Sequence, residues 1–94
     1  MPTRRARFAL GQVVATPGAA EAMQAANVTA HQFIARHVTG DWGNLDEEDK
    51  RENEFSVANN LRILSAYTLP TQVKIWVITE ADRSATTLLL PSEY

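Results

Sequence analysis

At Leu61 the spacing of apolar residues changes from helical to alternating, and this switch constrains the fold of the 94-residue chain more than any other feature. Beyond it, Arg62–Leu69 and Val73–Glu80 are rich in branched and aromatic residues at a period of two, the signature of strands. Leu69-Pro70-Thr71-Gln72 joins them, with proline suited to position i+1 of a turn. Glu80-Ala81-Asp82-Arg83 is a second turn, and Ser84–Leu90 a last strand closed by Pro91. The C-terminal third therefore reads as a three-stranded antiparallel meander.

Ahead of the switch the pattern is helical. Thr16-Pro17 reads as an N-cap followed by proline at the first helical position, and the alanine-rich residues 17–26 form a helix anchored by Met23 and ended at Asn27. Thr29 and Gln32 have the spacing of a capping box, and Val28 is placed to staple against Phe33. Ala30, Phe33, Ile34, His37 and Val38 share one face of the helix they open, which Gly40 stops. Leu45-Asp46-Glu47-Glu48-Asp49 opens a third helix, because acids in a first turn favour the positive end of the helix dipole. It runs to about Asn59, with Phe55, Ala58 and Leu61 as an apolar stripe. Residues 5–16 alternate loosely and predict an N-terminal strand, with Gly11 as a bulge and a place at an edge of the sheet. The expected fold is α+β in one domain, residues 1–94. An N-terminal strand and two to three helices precede the three-stranded antiparallel meander, forming a two-layer sandwich.

The charge pattern narrows the function. Formal net charge is -2, against a general polyanion binder, yet seven of the eleven acids fall between Asp41 and Glu54 while Arg4, Arg5 and Arg7 crowd the N-terminus. The acidic run is either a nucleic-acid-mimicking surface or a solvated helix face, and the arginines are either a phosphate grip or a solvated end. The absence of cysteine excludes disulfides and thiolate metal sites and is compatible with the cytoplasm, the expected location. No apolar run of signal-peptide or membrane-spanning kind is present, so no membrane association is expected.

Residues 36–43 put His37, Arg36, Asp41 and Trp42 within one short glycine-punctuated stretch. His37 is the leading proton-transfer candidate near neutral pH, and Arg36 and Arg62 suit phosphate or a developing oxyanion. The alternative for His37 is a helix-end residue packed on the sheet and bonded to Asp41 or a carbonyl. Asp41 either contacts a substrate or caps the turn after Gly40, and Trp42 either contacts a substrate or seals the core rim. Glu80, Asp82, Arg83, Thr86 and Thr87 cluster at the second hairpin, as a phosphate-handling site or as ordinary turn and strand residues. The six-residue separation of His31 and His37 does not suit ligands on one helix face, so neither metal nor cofactor is expected. Residues 18–38 also have the outline of a helix-turn-helix offering His31, Gln32 and Arg36, although the nearby acids would repel DNA.

Two resemblances attach to particular segments. The run ARHVTGDWGNLDEEDKRENE, followed by RILSAYTLP and KIWVITEADRSATTLLLPSEY, resembles a family of small bacterial proteins often described as plasmid-related, which implies no activity. Residues 60–90 resemble the strand region of barnase-like ribonucleases, in the wider barnase–EndoU–colicin–RelE superfamily. That likeness implies a metal-independent ribonuclease in which Arg62 matches the arginine opening the RIL strand. Asp82-Arg83 would match an aspartate–histidine pair, with arginine standing where the histidine is expected. His37 would then supply the acid or base from the helical layer, Arg62 and Arg83 would stabilise the phosphorane, and Thr86 or Thr87 would orient a phosphate oxygen. The competing expectation is a non-enzymatic accessory protein that binds a protein or nucleic-acid partner. A homodimer joined through a strand edge is compatible with either.

Overall fold

A computed structural model describes residues 5–94, so Arg4 of the basic cluster lies outside the described residues. Strand β1 is Gln12–Ala15, followed by helices α1 (Pro17–Ala25), α2 (Ala30–Val38) and α3 (Glu47–Asn59). Strands β2 (Ile63–Thr68), β3 (Lys74–Thr79) and β4 (Ala85–Leu89) follow, and a short 3-10 turn covers Pro91–Glu93. The sheet order is β1-β4-β3-β2. The meander is antiparallel, as the alternation predicts, while β1 joins β4 in parallel, so the whole sheet is mixed. β1 therefore points the same way as β2. A tight hairpin cannot join strands of the same sense, and the helical segment supplies the crossover between them.

The local stop and start signals act as expected. Thr16 Oγ1 accepts from the Ala19 N–H at 3.1 Å, and Gln32 Oε1 accepts from the Thr29 N–H at 3.1 Å. Asp46 Oδ1 accepts from the Asp49 N–H at 2.8 Å and caps α3. Asn27 (φ 57°), Gly40 (φ 91°) and Asn60 (φ 55°) take the left-handed conformation where the helices end. Helices α1 and α2 cover one face of the sheet, where Ala19, Met23 and Phe33 pack with Tyr67, Leu69, Ile75, Val77 and Leu88. Val28 is packed against the same cluster, which contains Phe33.

Two expectations are corrected. The N-terminal strand is only four residues long rather than spanning 5–16. At Gly11 (φ 64°) a Cβ would sit 2.3 Å from the Ser84 carbonyl, so the chain enters the sheet pressed against the β3–β4 turn, and the residues before it leave the ladder. The apolar stripe expected on α3 faces solvent: Phe55 is 60% and Leu61 45% exposed, and Ala58 is exposed. The helix buries Asn53 and Ser56 instead.

Asn53 explains that choice. Its Nδ2 donates to the Leu64 carbonyl at 2.6 Å, and its Oδ1 accepts from the Leu64 N–H at 3.2 Å. One residue pair along, the Asn44 N–H donates to Ala66 O at 2.7 Å and the Ala66 N–H donates to Trp42 O at 3.2 Å. The outer edge of β2 is thus closed by a side-chain amide and a single parallel bridge, which removes an open template for another strand. Asn53→Ala leaves both Leu64 backbone groups without this partner, and we expect it to cost about 2 kcal/mol. Urea denaturation measures this, and a loss below about 0.5 kcal/mol would show that the amide is not what docks α3.

Candidate functional site

His37 stands in the last turn of α2 with no exposed surface. Its Nδ1 lies 2.6 Å from Ser65 Oγ and its Nε2 2.9 Å from Thr79 Oγ1. Thr79 Oγ1 is 2.7 Å from Thr86 Oγ1, which donates to the Leu10 carbonyl at 2.8 Å. A carbonyl only accepts, so the one proton of Thr86 points to Leu10. Thr79 must then donate to Thr86, and His37 Nε2–H to Thr79. Nδ1 is left as the acceptor for Ser65. The chain of bonds runs one way and selects the neutral Nε2–H tautomer, and burial pushes the imidazole pKa down to about 4. Phe8 and Trp42 pack their rings edge-on to it, at 5.2 and 6.0 Å between centroids. His37 is therefore packed on the sheet, but its partners are hydroxyls rather than Asp41 or a carbonyl. Both nitrogens are engaged inside the core, and neither is presented to a phosphate.

The rest of the 36–43 stretch closes the corner of the molecule. Asp41 Oδ2 accepts from Arg36 Nε at 2.7 Å, and its Oδ1 accepts from the Gly43 N–H at 3.2 Å, a turn-capping bond. The Arg36 guanidinium lies 4.5 Å from the Tyr67 ring centroid. Trp42 is buried, and its indole N–H donates to Glu54 Oε2 at 3.0 Å. Glu54 also receives both guanidinium nitrogens of Arg7, at 2.8 and 2.7 Å, and these bonds hold its carboxyl below the usual range.

At the second hairpin, Arg83 (φ 61°) donates to four carbonyls, including Leu61 O at 2.7 Å and Ser56 O at 3.0 Å. The guanidinium ties the β3–β4 turn to the end of α3. Asp82 Oδ1 accepts from the Ser84 N–H at 3.0 Å and closes the turn. Thr86 belongs to the buried hydroxyl chain, whereas its neighbour Thr87 reaches the opposite face of the sheet, as strand alternation requires. Of the residues expected to share one phosphate, Arg62 alone is well exposed. It donates to the Tyr94 hydroxyl and pairs with Glu80 Oε1 at 3.4 Å.

Arg62 leads to a site that the chemistry-bearing residues do not announce. On the sheet face turned away from α1 and α2, a groove of about 430 Å³ runs beside α3. Leu45, Leu64 and Trp76 supply its apolar surface, Asp49 and Glu52 one wall, and Arg62 lies at its border. A smaller hollow of about 200 Å³ continues past Arg62 towards Ile78, Thr87 and Tyr94. The Tyr94 ring meets Trp76 edge-on at 5.7 Å. The sequence carried one signal for this face: Leu64 and Trp76 alternate out of phase with the core positions Ile63, Tyr67, Ile75 and Val77. A face turned wholly to water would carry polar side chains there.

Comparison with known protein families, curated proteins and solved structures found no match. Among the described residues, no helix is long and apolar enough to cross a membrane.

Proposed function

We propose that this chain is a non-enzymatic binding domain that receives a macromolecular partner in the groove between α3 and the outer face of the sheet. The observation that carries the reading is the groove itself: a half-buried tryptophan and two leucines exposed to a ligand beside charged side chains, an apolar patch with a few polar groups at its border. The ribonuclease expectation draws no comparable support. It needs a histidine and two arginines around one phosphate, and His37 is engaged by Ser65 and Thr79 while Arg83 is engaged by backbone carbonyls.

The discriminating experiment is incubation of the purified chain with single-stranded and structured RNA in EDTA. The RNA is expected to stay intact, and Arg62→Ala to change nothing in that assay. Cleavage that Arg62→Ala abolishes would overturn the non-enzymatic reading and restore catalysis at the sheet.

A further inference from the structure

We infer that the groove takes a cationic, apolar segment of a partner protein, with a large aliphatic or aromatic side chain against Leu64 and Trp76 and lysine or arginine facing Asp49 and Glu52. This rests on the binding reading above and names the chemistry of the occupant.

Two acidic side chains form one wall of the groove. Asp49 and Glu52 are three residues apart on α3 and so share a face of the helix. Both line the groove, and among the described residues neither carboxylate is in an ion pair. The other charge at the border, Arg62, is opposed by Glu80 at 3.4 Å. Lys50 is paired with Glu47 at 3.8 Å. The field inside the groove is therefore negative, and the complementary occupant carries positive charge.

The apolar part sets a second requirement. A metal ion or a small polyamine would satisfy the carboxylates and leave Leu45, Leu64 and Trp76 in contact with water. A nucleic acid could stack on Trp76 but would bring its phosphates against Asp49 and Glu52, a repulsion instead of the usual basic surface. A peptide with alternating basic and large apolar side chains satisfies both demands. It cannot add a strand here, because the β2 edge is already closed by Asn53 and residues 42–44. Recognition must therefore come from side chains.

The test uses short synthetic peptides titrated into the isotope-labelled full chain and followed by NMR. One peptide alternates lysine and leucine, a second replaces lysine with glutamate, and a third replaces leucine with serine. The lysine–leucine peptide is expected to shift the Trp76 indole and the amides of Leu45, Asp49, Glu52 and Leu64. Its affinity should fall about tenfold or more in the Asp49→Asn, Glu52→Gln double variant and with added salt. The double variant keeps the Asp46 cap, since Asp49 contributes only its N–H there. Equal binding of the serine peptide, or preference for the glutamate peptide, would overturn the inferred chemistry while leaving the groove as a binding site. The same shifts produced by an RNA oligonucleotide would also overturn it. Absence of groove shifts with every peptide and oligonucleotide would overturn both this inference and the reading it rests on.

Discussion

Gly43→Ala is expected to lower the unfolding free energy by about 4 kcal/mol. Gly43 sits at φ 75°, in the left-handed region that favours glycine. It is also where the chain pairs with the edge of β2, and a Cβ would lie 1.9 Å from the Ala66 carbonyl oxygen and 2.7 Å from the Tyr67 ring. The backbone of a paired strand and a buried ring cannot yield as a surface side chain can. The bridge would have to open, releasing Ala66 from Trp42 O and Asn44 N and loosening the groove wall that α3 forms beside β2. Gly18→Ala is the control. Its nearest clash would be the Glu93 carboxylate, at 2.5 Å, a surface side chain that can shift at the expense of its bonds to Thr16, Gly18 and Leu90, and φ there is not positive. We expect a cost within about 1 kcal/mol. Urea midpoints of the two variants decide the matter. Gly43→Ala as stable as Gly18→Ala would show that the bridge is dispensable.

The second large effect is set by His37 and by pH. The folded protein holds the imidazole neutral, with a pKa of about 4 against an ordinary 6.5. The unfolded chain therefore takes up a proton between these values while the folded chain does not. The neutral form contributes its full stability above pH 6.5, and that contribution is lost as pH falls towards 4. By about pH 5 the loss is expected to be about 2 kcal/mol relative to neutral pH. The carboxylates held low in the folded state, Glu54, Asp82 and Glu93, act in the same direction but in a more acidic window. Denaturation at about pH 7.5 and about pH 5 isolates the histidine. His37→Gln should remove most of this dependence and, by breaking the hydroxyl chain, cost about 3 kcal/mol at neutral pH. A wild-type stability that is flat over the same range would mean that the imidazole is charged or solvated in the native state.

Both effects arise from residues that the sequence singled out for a different reason. His37 and Gly43 belong to the stretch that collects histidine, arginine, aspartate and tryptophan from the last turn of α2 into the segment before α3. From sequence, His37 is ambiguous because a helix-end histidine on an apolar face suits both chemistry and packing. The ambiguity ends with Ser65 and Thr79, which lie 28 and 42 residues away. No local pattern marks a serine and a threonine on two strands as partners of one imidazole. Arg83 is similar: its turn is legible, but two of the carbonyls it gathers, Ser56 O and Leu61 O, come from α3 and the segment after it. The groove was hidden for another reason. Its apolar residues look like ordinary strand residues, and Asp49 and Glu52 look like solvated acids, until α3 is laid beside β2.

What the sequence determined by itself was the set of elements and most of their ends. Thr16-Pro17, Thr29 with Gln32, Asp46 and Gly40 act on groups within a few residues, so their effect is carried by local covalent geometry and short-range hydrogen bonds. The alternation after Leu61 likewise determined three strands and their antiparallel order. Tertiary structure alone decided that β1 runs parallel to β4. It also decided that α3 docks through Asn53 rather than Phe55, and that the glycine-punctuated stretch closes the edge of β2. Each of these depends on which backbone groups remain unpaired after the sheet has formed. That demand for hydrogen-bond partners belongs to the assembled edge, and no segment of the chain carries it alone.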